Sequence, residues 1–255
     1  MTSHTIETLL KRRDAWLKTI YGNQKQAKER SALLIMIAER YPDFEGLRDH
    51  YFKATEAYIR RDNADVEPEP TDNPEMVAAF RTHNLIHPCE HGYWICDVSS
   101  KRFLAGGWLE ELAWLAAMEA GADEASYGQV LGWKVQDFTG ENEIDLIARK
   151  GERLCFVSCK AFRSELNMHD RKHRHRLMDA VHEADNLVDH FGRNGEKVAV
   201  LVTTDLYDEI KNSPRYLALM GKAAVLDVKL IALEDLGWAK LVNALRDLMT
   251  SEEGP

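Results

Sequence analysis

The sequence predicts an α/β sandwich, in which helices flank a central mixed β-sheet, preceded by a small all-α module. From Trp108 onward, stretches with helical spacing alternate with short apolar stretches that are typical of strands. The uninterrupted apolar runs at 198–203 and 229–232 have the length and composition of strands buried on both faces of a parallel sheet. An acidic, Pro-rich stretch separates this alternating region from an N-terminal segment with helical spacing. Together these features indicate an α/β architecture.

The N-terminal segment, residues 5–61, has a helical pattern. Apolar side chains recur at helical spacing from Ile6 to Ile20, and Pro42 divides this part from a second amphipathic stretch. The following stretch is acidic, rich in proline and without periodicity, which is the composition of a linker. The predicted boundaries are 1–61 for a helical module, 62–74 for the linker and 75–255 for a second domain.

The helical module has more apolar surface than a hairpin of two helices can bury in itself. Trp16, Ile20, Leu33 and Tyr51 are examples. An apolar surface of this kind needs a cover, either from a second copy of the chain or from the second domain. We expect an oligomerisation element and a homodimer, and packing of the helices onto the second domain is the alternative.

The second domain begins with a short lead-in and continues with alternating helices and strands. Residues 75–107 are expected to form a short helix, from Pro74 to Thr82, and a hairpin from Gly92–Val98 and Lys101–Leu104 that leads to Gly106-Gly107. Helical spacing then predicts three further helices. The first runs from Trp108 to about Ala120 and ends at Gly121, and the second runs from Leu177 to Phe191 and ends at Gly192. The third runs from Trp238 to Met249.

Composition limits the possible functions. The chain has 255 residues, 45% of them hydrophobic, and lacks an apolar run long enough to span a bilayer, so we expect no membrane partner. The N-terminus lacks the apolar core of a secretory signal, and with reduced cysteines as the default we expect the cytoplasm. A net charge of −9 argues against binding nucleic acid by bulk electrostatics, so a polyanion must meet a local basic patch.

The most informative stretch is a predicted hairpin that places an acid and an amine on neighbouring strands. Its strands are 142–148 and 154–160, and a polar turn with Gly151 connects them. Asp145 on the first strand and Lys160 on the second are costly to bury unless they are paired or bind an ion. They suit a divalent metal and a phosphate, because carboxylate oxygen is the ligand that Mg²⁺ prefers. A buried Asp–Lys salt bridge in an ordinary hairpin is an equally good interpretation of this motif by itself.

A basic segment begins at the candidate site. From Lys160 to Arg176 there are six Lys or Arg against two acids, with three histidines among them. Cations that contact phosphate supply most of the sequence-independent affinity for nucleic acid. A solvated charged loop is the alternative, and the closeness to Lys160 favours nucleic-acid binding. The candidate contacts to the nucleic-acid backbone are Arg163, Arg171, Lys172, Arg174 and Arg176.

Four motifs taken together resemble a known family. They are Phe103-Leu104-Ala105-Gly106-Gly107-Trp108-Leu109-Glu110-Glu111, Asn142-Glu143-Ile144-Asp145, Val157-Ser158-Cys159-Lys160 and Glu183-Ala184-Asp185-Asn186-Leu187 before Gly192. The pattern resembles the PD-(D/E)xK endonuclease superfamily, and more narrowly the nuclease domain of CRISPR-associated effectors activated by cyclic oligoadenylates. The resemblance covers about residues 75–235. It implies a restriction-endonuclease-like sheet, a metal-dependent nuclease acting on DNA or RNA, and a place in anti-phage defence.

One position departs from that pattern. Residue 158 is Ser where the superfamily has Glu or Asp, so one metal ligand is missing from its usual place. Glu111, at the flank of the apolar face of the Trp108 helix, is the first candidate to replace it, with Glu110 expected to point away. Glu143, on the strand face of Asp145, is the second candidate. Helix N-terminal acids that favour the macrodipole are the alternative explanation of Glu110 and Glu111.

The sequence thus predicts a nuclease with Mg²⁺ or Mn²⁺ as its cofactor. Asp145 and Glu111 would hold the metal, Ser158 would help through its hydroxyl or carbonyl oxygen, and Lys160 would position water and stabilise the transition state. A nuclease-fold protein without catalysis, which binds nucleic acid or a partner, is the runner-up. The related effectors carry a sensor domain that residues 1–61 do not match, so we do not expect direct activation by a cyclic nucleotide.

Overall fold

The computed structural model describes residues 4–20, 22–61, 70–90, 94–193 and 196–250. Its α-helices are α1 (Ile6–Lys11), α2 (Gln24–Glu29), α3 (Ser31–Glu39), α4 (Tyr41–Arg60), α5 (Pro74–Thr82), α6 (Val98–Arg102), α7 (Trp108–Glu119), α8 (Arg171–Phe191), α9 (Leu217–Val225) and α10 (Trp238–Thr250). Its strands are β1 (Ala15–Ile20), β2 (His87–Pro88), β3 (Trp94–Ile95), β4 (Glu124–Val135), β5 (Phe138–Lys150), β6 (Arg153–Lys160), β7 (Lys197–Val202), β8 (Tyr207–Asp208), β9 (Ser213–Pro214) and β10 (Val228–Ile231). None of these helices has an apolar stretch long enough to cross a bilayer.

The central sheet is mixed, as predicted. Among the described residues it has six strands in the order β1-β4-β5-β6-β7-β10. The pairs from β1 to β6 are antiparallel, whereas β7 runs parallel to both β6 and β10. Strands β7 and β10 correspond to the apolar runs at 198–203 and 229–232, for which the sequence predicted parallel strands. The α/β class with a sheet between helices is therefore confirmed.

Two apolar cores lie on the two faces of the sheet. On one face, α7 is surrounded by the sheet, the N-terminal helices and α10, and Trp108, Leu109 and Leu112 are fully buried there. On the other face, α8 covers the sheet through Leu177, Val181 and further apolar side chains at helical spacing. This arrangement leaves Asp145, in the interior of β5, and Lys160, at the end of β6, between two helical layers.

The expectation that residues 5–61 are entirely helical is wrong over β1. Ala15–Ile20 forms an edge strand antiparallel to β4. Trp16 pairs with Gly132, and a Cβ at Gly132 would lie 2.5 Å from the Trp16 ring, so the close approach requires glycine. A short apolar run such as Ala15 to Leu17 fits a helix as well as a strand, and pairing with a distant strand decided between them.

The remaining N-terminal helices pack on the rest of the chain. The rings of Tyr41 and Phe44 lie 5.5 and 5.4 Å from that of Trp108 in α7. Leu33, Ile37 and Tyr51, on which the oligomerisation prediction depends, are buried within the chain together with Leu34. The homodimer stays a prediction. Most of the predicted linker lies outside the described residues, as does Gly92.

Two further boundaries differ from those predicted. Val98–Arg102 is helical rather than part of a hairpin, because the Asp97 carboxylate accepts a hydrogen bond from the Ser100 N–H at 2.6 Å and caps the helix. Helix α8 begins at Arg171, six residues before Leu177, because Asp170 caps it by accepting the His173 N–H at 3.0 Å. The basic residues 171–176 are therefore on the first turns of a helix. The Gly151 turn, with φ of +61°, connects β5 and β6 as expected.

Candidate active site

Asp145 lies at an irregularity of the central sheet, which involves strands β4, β5 and β6. Ile144 and Leu146, two residues apart in one strand, belong to the cores on opposite faces of the sheet. The alternation is interrupted between them, and Gly128, opposite Asp145 in the β4–β5 register, has φ of +58°. Such irregularities redirect side chains and are frequent beside active sites. The side chain of Asp145 is placed by this interruption.

The β5–β6 ladder also ends at this point. Its last pair toward the site is Leu146 with Val157, whereas β6 stays paired with β7 as far as Lys160. In the resulting fork, the Asp145 carboxylate accepts the Cys159 backbone N–H at 2.7 Å and the Ser158 hydroxyl at 3.3 Å. These bonds fix the carboxylate between the two strands. Burial raises the pKa of Asp145, although the Cys159 N–H and the Lys160 charge act in the opposite direction.

Lys160 lies at the end of β6 and points toward α8. Its ammonium forms an ion pair with Glu183 Oε2 at 2.8 Å. Burial lowers the pKa of Lys160, but the contact with Glu183 and the charge of Asp145 outweigh burial and raise it. The lysine is therefore a fixed positive charge that contacts Glu183 on a helix and is stabilised by the charge of Asp145 on a strand. Asp145 faces Ser158 across the fork, and Lys160 is two residues further along the same strand face.

The two glutamates at the start of α7 have different surroundings. Glu111 is 7% exposed and pairs with Arg30 at 3.2 Å, and its Oε2 has no partner among the described residues. Burial raises the pKa of Glu111 to about 7. Glu110 has its pKa raised to about 8, first by burial and then by the charge of Asp145. Of these two glutamates, Glu110 is therefore the one whose pKa is raised by the charge of Asp145.

The expectation that Glu110 points away from the site is wrong. A helix with one buried face would turn residue 110 toward solvent, but α2 and α3 cover the outer side of α7 and bring Arg30 against Glu111. Glu110 instead has its pKa raised by the charge of Asp145. Glu111 as a metal ligand remains a prediction.

Glu143 adds a third acid near Asp145. It is exposed on β5, and its charge raises the pKa of both Asp145 and Glu110. A group of acids in which the charge of one disfavours the charged form of another suits a divalent cation. Across the residues that the structure covers, no three His, Cys, Asp or Glu side chains converge as a ready ion site. The donor set fits Mg²⁺ all the same, because this ion keeps several waters and needs only one or two carboxylates.

A polar cleft adjoins the acidic cluster. Its volume is about 260 Å³, and it lies between α2, α6 and the start of α7. Glu110, Glu111, Arg30, Arg102 and Tyr127 line it. Both glutamates at the start of α7 therefore line one cleft. It also places a basic side chain, Arg102, whose charge lowers the pKa of Glu110, at the edge of the acids.

The predicted basic segment divides into two groups. Arg163 is engaged by Asp49 at 2.6 Å and Glu45 at 3.3 Å, so part of its charge is neutralised. Arg171 and Lys172 are exposed on the first turn of α8, and Arg176 is exposed with its guanidinium 4.6 Å from the Phe162 ring centre. Arg174 is half-buried. The exposed cations coincide with the positive end of the helix dipole, which also attracts anions.

The loop after Lys160 is held by α4. The Tyr41 hydroxyl donates to the Phe162 carbonyl at 2.7 Å, and Glu45 accepts the N–H and the hydroxyl of Ser164 at 3.1 and 2.6 Å. Thr203 donates to the same Phe162 carbonyl at 2.7 Å. The N-terminal helices therefore fix the strand end that carries Lys160. Sequence reasoning missed this role, and the acidic positions of α4 gave no signal of it.

Comparisons with known proteins agree with this geometry. The family model described as "Card1-like, endonuclease domain" matches residues 97–238, more than half of the chain, and this range contains Glu110, Asp145 and Lys160. A comparison with curated proteins gives no match. Among solved structures, protein VC1899 from Vibrio cholerae is similar with a TM-score of 0.67 and 15% identity, over 96% of this chain and 61% of that one.

Can2 from Sulfobacillus thermosulfidooxidans, whose structure is a complex with cyclic tetra-adenylate, is similar with a TM-score of 0.61 and 13% identity. The match covers 97% of this chain and 62% of that one. The chain thus spans less than two thirds of the length of both proteins, and at these identities the likeness concerns the fold. The family model, by contrast, matches the sequence itself. The chain belongs to the Card1-like endonuclease domain family.

Proposed function

We propose that this protein is a metal-dependent nuclease that hydrolyses phosphodiester bonds in DNA or RNA. The observation that carries the proposal is the fork between β5 and β6. There Asp145 is held by the Cys159 N–H at 2.7 Å, and Lys160 stays positively charged two residues further on. Both groups lie inside the range that matches the endonuclease family. An acid and a fixed cation beside further carboxylates are the groups that a phosphoryl transfer needs.

Asp145 is proposed to hold Mg²⁺ or Mn²⁺, together with Glu110 and with Glu143 as the next acid. The pKa of Glu110, which is raised to about 8 first by burial and then by the charge of Asp145, with a smaller contribution from Glu143, supports this assignment. When bound, the ion would neutralise charge on the phosphate and supply a water of lowered pKa. Ser158 would help through its hydroxyl, which already donates to Asp145 at 3.3 Å. Glu111 remains the alternative to Glu110.

Lys160 is proposed to stabilise the charge that grows on the phosphorus centre and to orient the attacking water. Its ammonium donates hydrogen bonds and does not accept a proton, because its pKa is raised rather than lowered. The proton of the attacking water therefore goes to a carboxylate or to solvent.

The nucleic-acid backbone is proposed to run along the start of α8. Arg171, Lys172 and Arg176 are exposed there, on the helix whose Glu183 contacts Lys160. Arg174 is half-buried and Arg163 is engaged by two acids, so we expect smaller contributions from both. A patch of this kind supplies local positive charge near the site, although the net charge of the whole chain is −9.

Cleavage assays test the proposal directly. Single-stranded and double-stranded DNA and RNA are incubated with the full chain and Mg²⁺, Mn²⁺ or a chelator. Metal-dependent cleavage that is lost in Asp145→Asn is expected. Cleavage that continues in excess chelator, or in Asp145→Asn, would remove the metal site from the proposal.

A nuclease-fold protein without catalysis is the second candidate function. It is favoured by Ser158, which provides a hydroxyl where the superfamily pattern has an acid. Such a protein would bind nucleic acid through the α8 patch and cleave none of the substrates with either ion. Binding without cleavage in the same assay would select it.

The biological setting is proposed from the family. A role in anti-phage defence agrees with the similarity to Can2, a protein seen in complex with cyclic tetra-adenylate. We do not expect this chain to sense a cyclic nucleotide directly, and adding cyclic tetra-adenylate to the cleavage assay tests this. A cytoplasmic homodimer remains part of the proposal, and light scattering on the full chain tests the dimer.

A further inference from the structure

The acid that Ser158 does not supply has a substitute on another element. Ser158 is 4% exposed, and its hydroxyl donates to Asp145, so it contributes no negative charge to the fork. A carboxylate at position 158 would project on the same face of β6 as Lys160, two residues away. That face is covered by α8, and the carboxylate of Glu183 reaches Lys160 Nζ at 2.8 Å from there.

The sequence of α8 allows this approach. Ala180 and Ala184 are buried against the sheet, at 1% and 0% exposure. Small side chains at these positions let the helix backbone come close to β6, so that a glutamate at 183 can reach across to the end of the strand. Glu183 is 59% exposed, which leaves its carboxylate open to an ion with its shell of water.

The electrostatic arrangement points the same way. Asp145 and Glu183 both raise the pKa of Lys160, and Glu183 is in ion-pair contact with it. Two acids from different elements that act on one cation are suitable ligands for Mg²⁺, which binds through one or two carboxylates. The other acids near Asp145, Glu110 and Glu143, lie toward α7 and β5 rather than toward α8.

We propose that Glu183 on α8 is the metal ligand that replaces the acid missing at position 158, so that Glu183 joins Asp145 in holding the divalent ion. The inference rests on the proposed function and names one ligand in its site. In the superfamily pattern the acid and the lysine come from one strand, whereas here the acid comes from the helix packed on that strand. The site is thus completed by tertiary packing.

Direct measurement of Mn²⁺ binding tests this without nucleic acid and without turnover. Free Mn²⁺ is counted by electron paramagnetic resonance in titrations of the full chain. Glu183→Gln should weaken Mn²⁺ binding at least about tenfold. Asp179→Asn is the matched control, because it removes an exposed acid one turn earlier on α8 that pairs with His175, and it should bind Mn²⁺ like the parent. Glu183→Gln with the affinity of the parent overturns the proposal.

Two further variants separate a ligand from a distant charge. Glu183→Asp keeps the charge but withdraws the carboxylate by one methylene, so a ligand role predicts weakened binding. Parent affinity in Glu183→Asp, with loss in Glu183→Gln, would mean that only the charge matters and would overturn the proposal. The double variant Ser158→Glu/Glu183→Gln returns the acid to the strand and should regain affinity. A folded double variant that stays as weak as Glu183→Gln also contradicts the exchange of roles.

The same titration distinguishes this inference from the function on which it rests. Loss of Mn²⁺ binding in Asp145→Asn with no change in Glu183→Gln removes Glu183 alone. Parent affinity in both variants removes the whole metal site. A shifted pH profile of cleavage in Glu183→Gln, with Mn²⁺ binding intact, would leave Glu183 as a group that positions Lys160 and would overturn the ligand role.

Discussion

The carboxylate of Asp145 accepts the backbone N–H of Cys159 at 2.7 Å, across a gap where β5 and β6 no longer pair. In a regular ladder, a backbone carbonyl would take this N–H. The side chain thus stabilises the fork while its charge remains available to the site. Because of this double role, a test substitution of Asp145 should remove the charge and keep a hydrogen-bond acceptor for the Cys159 N–H.

Asp145→Asn should abolish cleavage while the protein stays folded. The amide oxygen can still accept the Cys159 N–H, whereas the negative charge is lost. Lys160→Met should have a similar effect, because it removes a cation that acts in the transition state. We expect losses of about 10²-fold to 10³-fold in each, measured as single-turnover cleavage rates. Asp137→Asn, at an exposed turn, is the control. Cleavage within twofold of the parent in both variants contradicts the site.

Glu110→Gln should stabilise the metal-free protein at pH 8 but not at pH 4.5. The pKa of Glu110 is raised from its ordinary 4.5 to about 8, so the folded state holds a proton that the unfolded state releases over this range. Stability of the parent therefore falls as pH rises from 4.5 to 8. The amide has no charge to bury. We expect a gain of about 1–2 kcal/mol at pH 8, since one pKa unit corresponds to about 1.4 kcal/mol and solvent reduces the effect.

Urea unfolding of parent and Glu110→Gln at both pH values measures this difference. Glu141→Gln, which alters an exposed acid that pairs with Lys18, is the control and should show no such pH dependence. Added Mn²⁺ should stabilise the parent more than Glu110→Gln. If the parent and Glu110→Gln differ in their free energy of unfolding by the same amount at pH 4.5 and at pH 8, Glu110 is not the group that titrates.

Neutralising Arg171, Lys172 and Arg176 together should weaken nucleic-acid binding and flatten its salt dependence. The slope of log K against log salt should decrease by roughly one unit for each phosphate that the variant no longer neutralises. Fluorescence anisotropy with labelled single-stranded DNA at several salt concentrations measures it. Arg163→Gln should change the slope less, because Asp49 and Glu45 already engage this residue. Equal slopes for the triple variant and the parent would make the start of α8 a plain solvated surface.

Tyr41→Phe should destabilise the protein by about 1 kcal/mol and also reduce cleavage. The hydroxyl of Tyr41 is buried and donates to the Phe162 carbonyl at 2.7 Å, and removing a buried hydrogen bond costs about this much. Cleavage should fall because Phe162 follows the end of the strand that carries Lys160. Urea unfolding and cleavage rates measure the two effects. Tyr207→Phe, on an exposed hydroxyl, is the control. If Tyr41→Phe is as stable as the parent, the hydrogen bond from Tyr41 to the Phe162 carbonyl does not hold the loop after Lys160.

The sequence by itself determined the α/β class and most of the local elements. The helices at Trp108 and Trp238, the parallel strand at 198–203 and the Gly151 turn follow from spacing and turn residues that act within a few positions along the chain. Asp145 and Lys160 could be singled out as candidate site residues because charged groups on apolar strands are costly to bury unless they are paired or bind an ion. These local patterns do not depend on what packs against them.

The tertiary structure alone decided the rest. The assignment of β1 depended on pairing with β4, which lies more than a hundred residues later in the chain. The different surroundings of Glu110 and Glu111 depended on Arg30, which follows α2 and pairs with Glu111, whereas the charge of Asp145 acts on the pKa of Glu110. The contact between Glu183 and Lys160 exists because α8 packs on β6. Periodicity tells which face of an element is apolar, but the partner that covers each face is set by long-range packing, and here that packing determines which acids meet at the site.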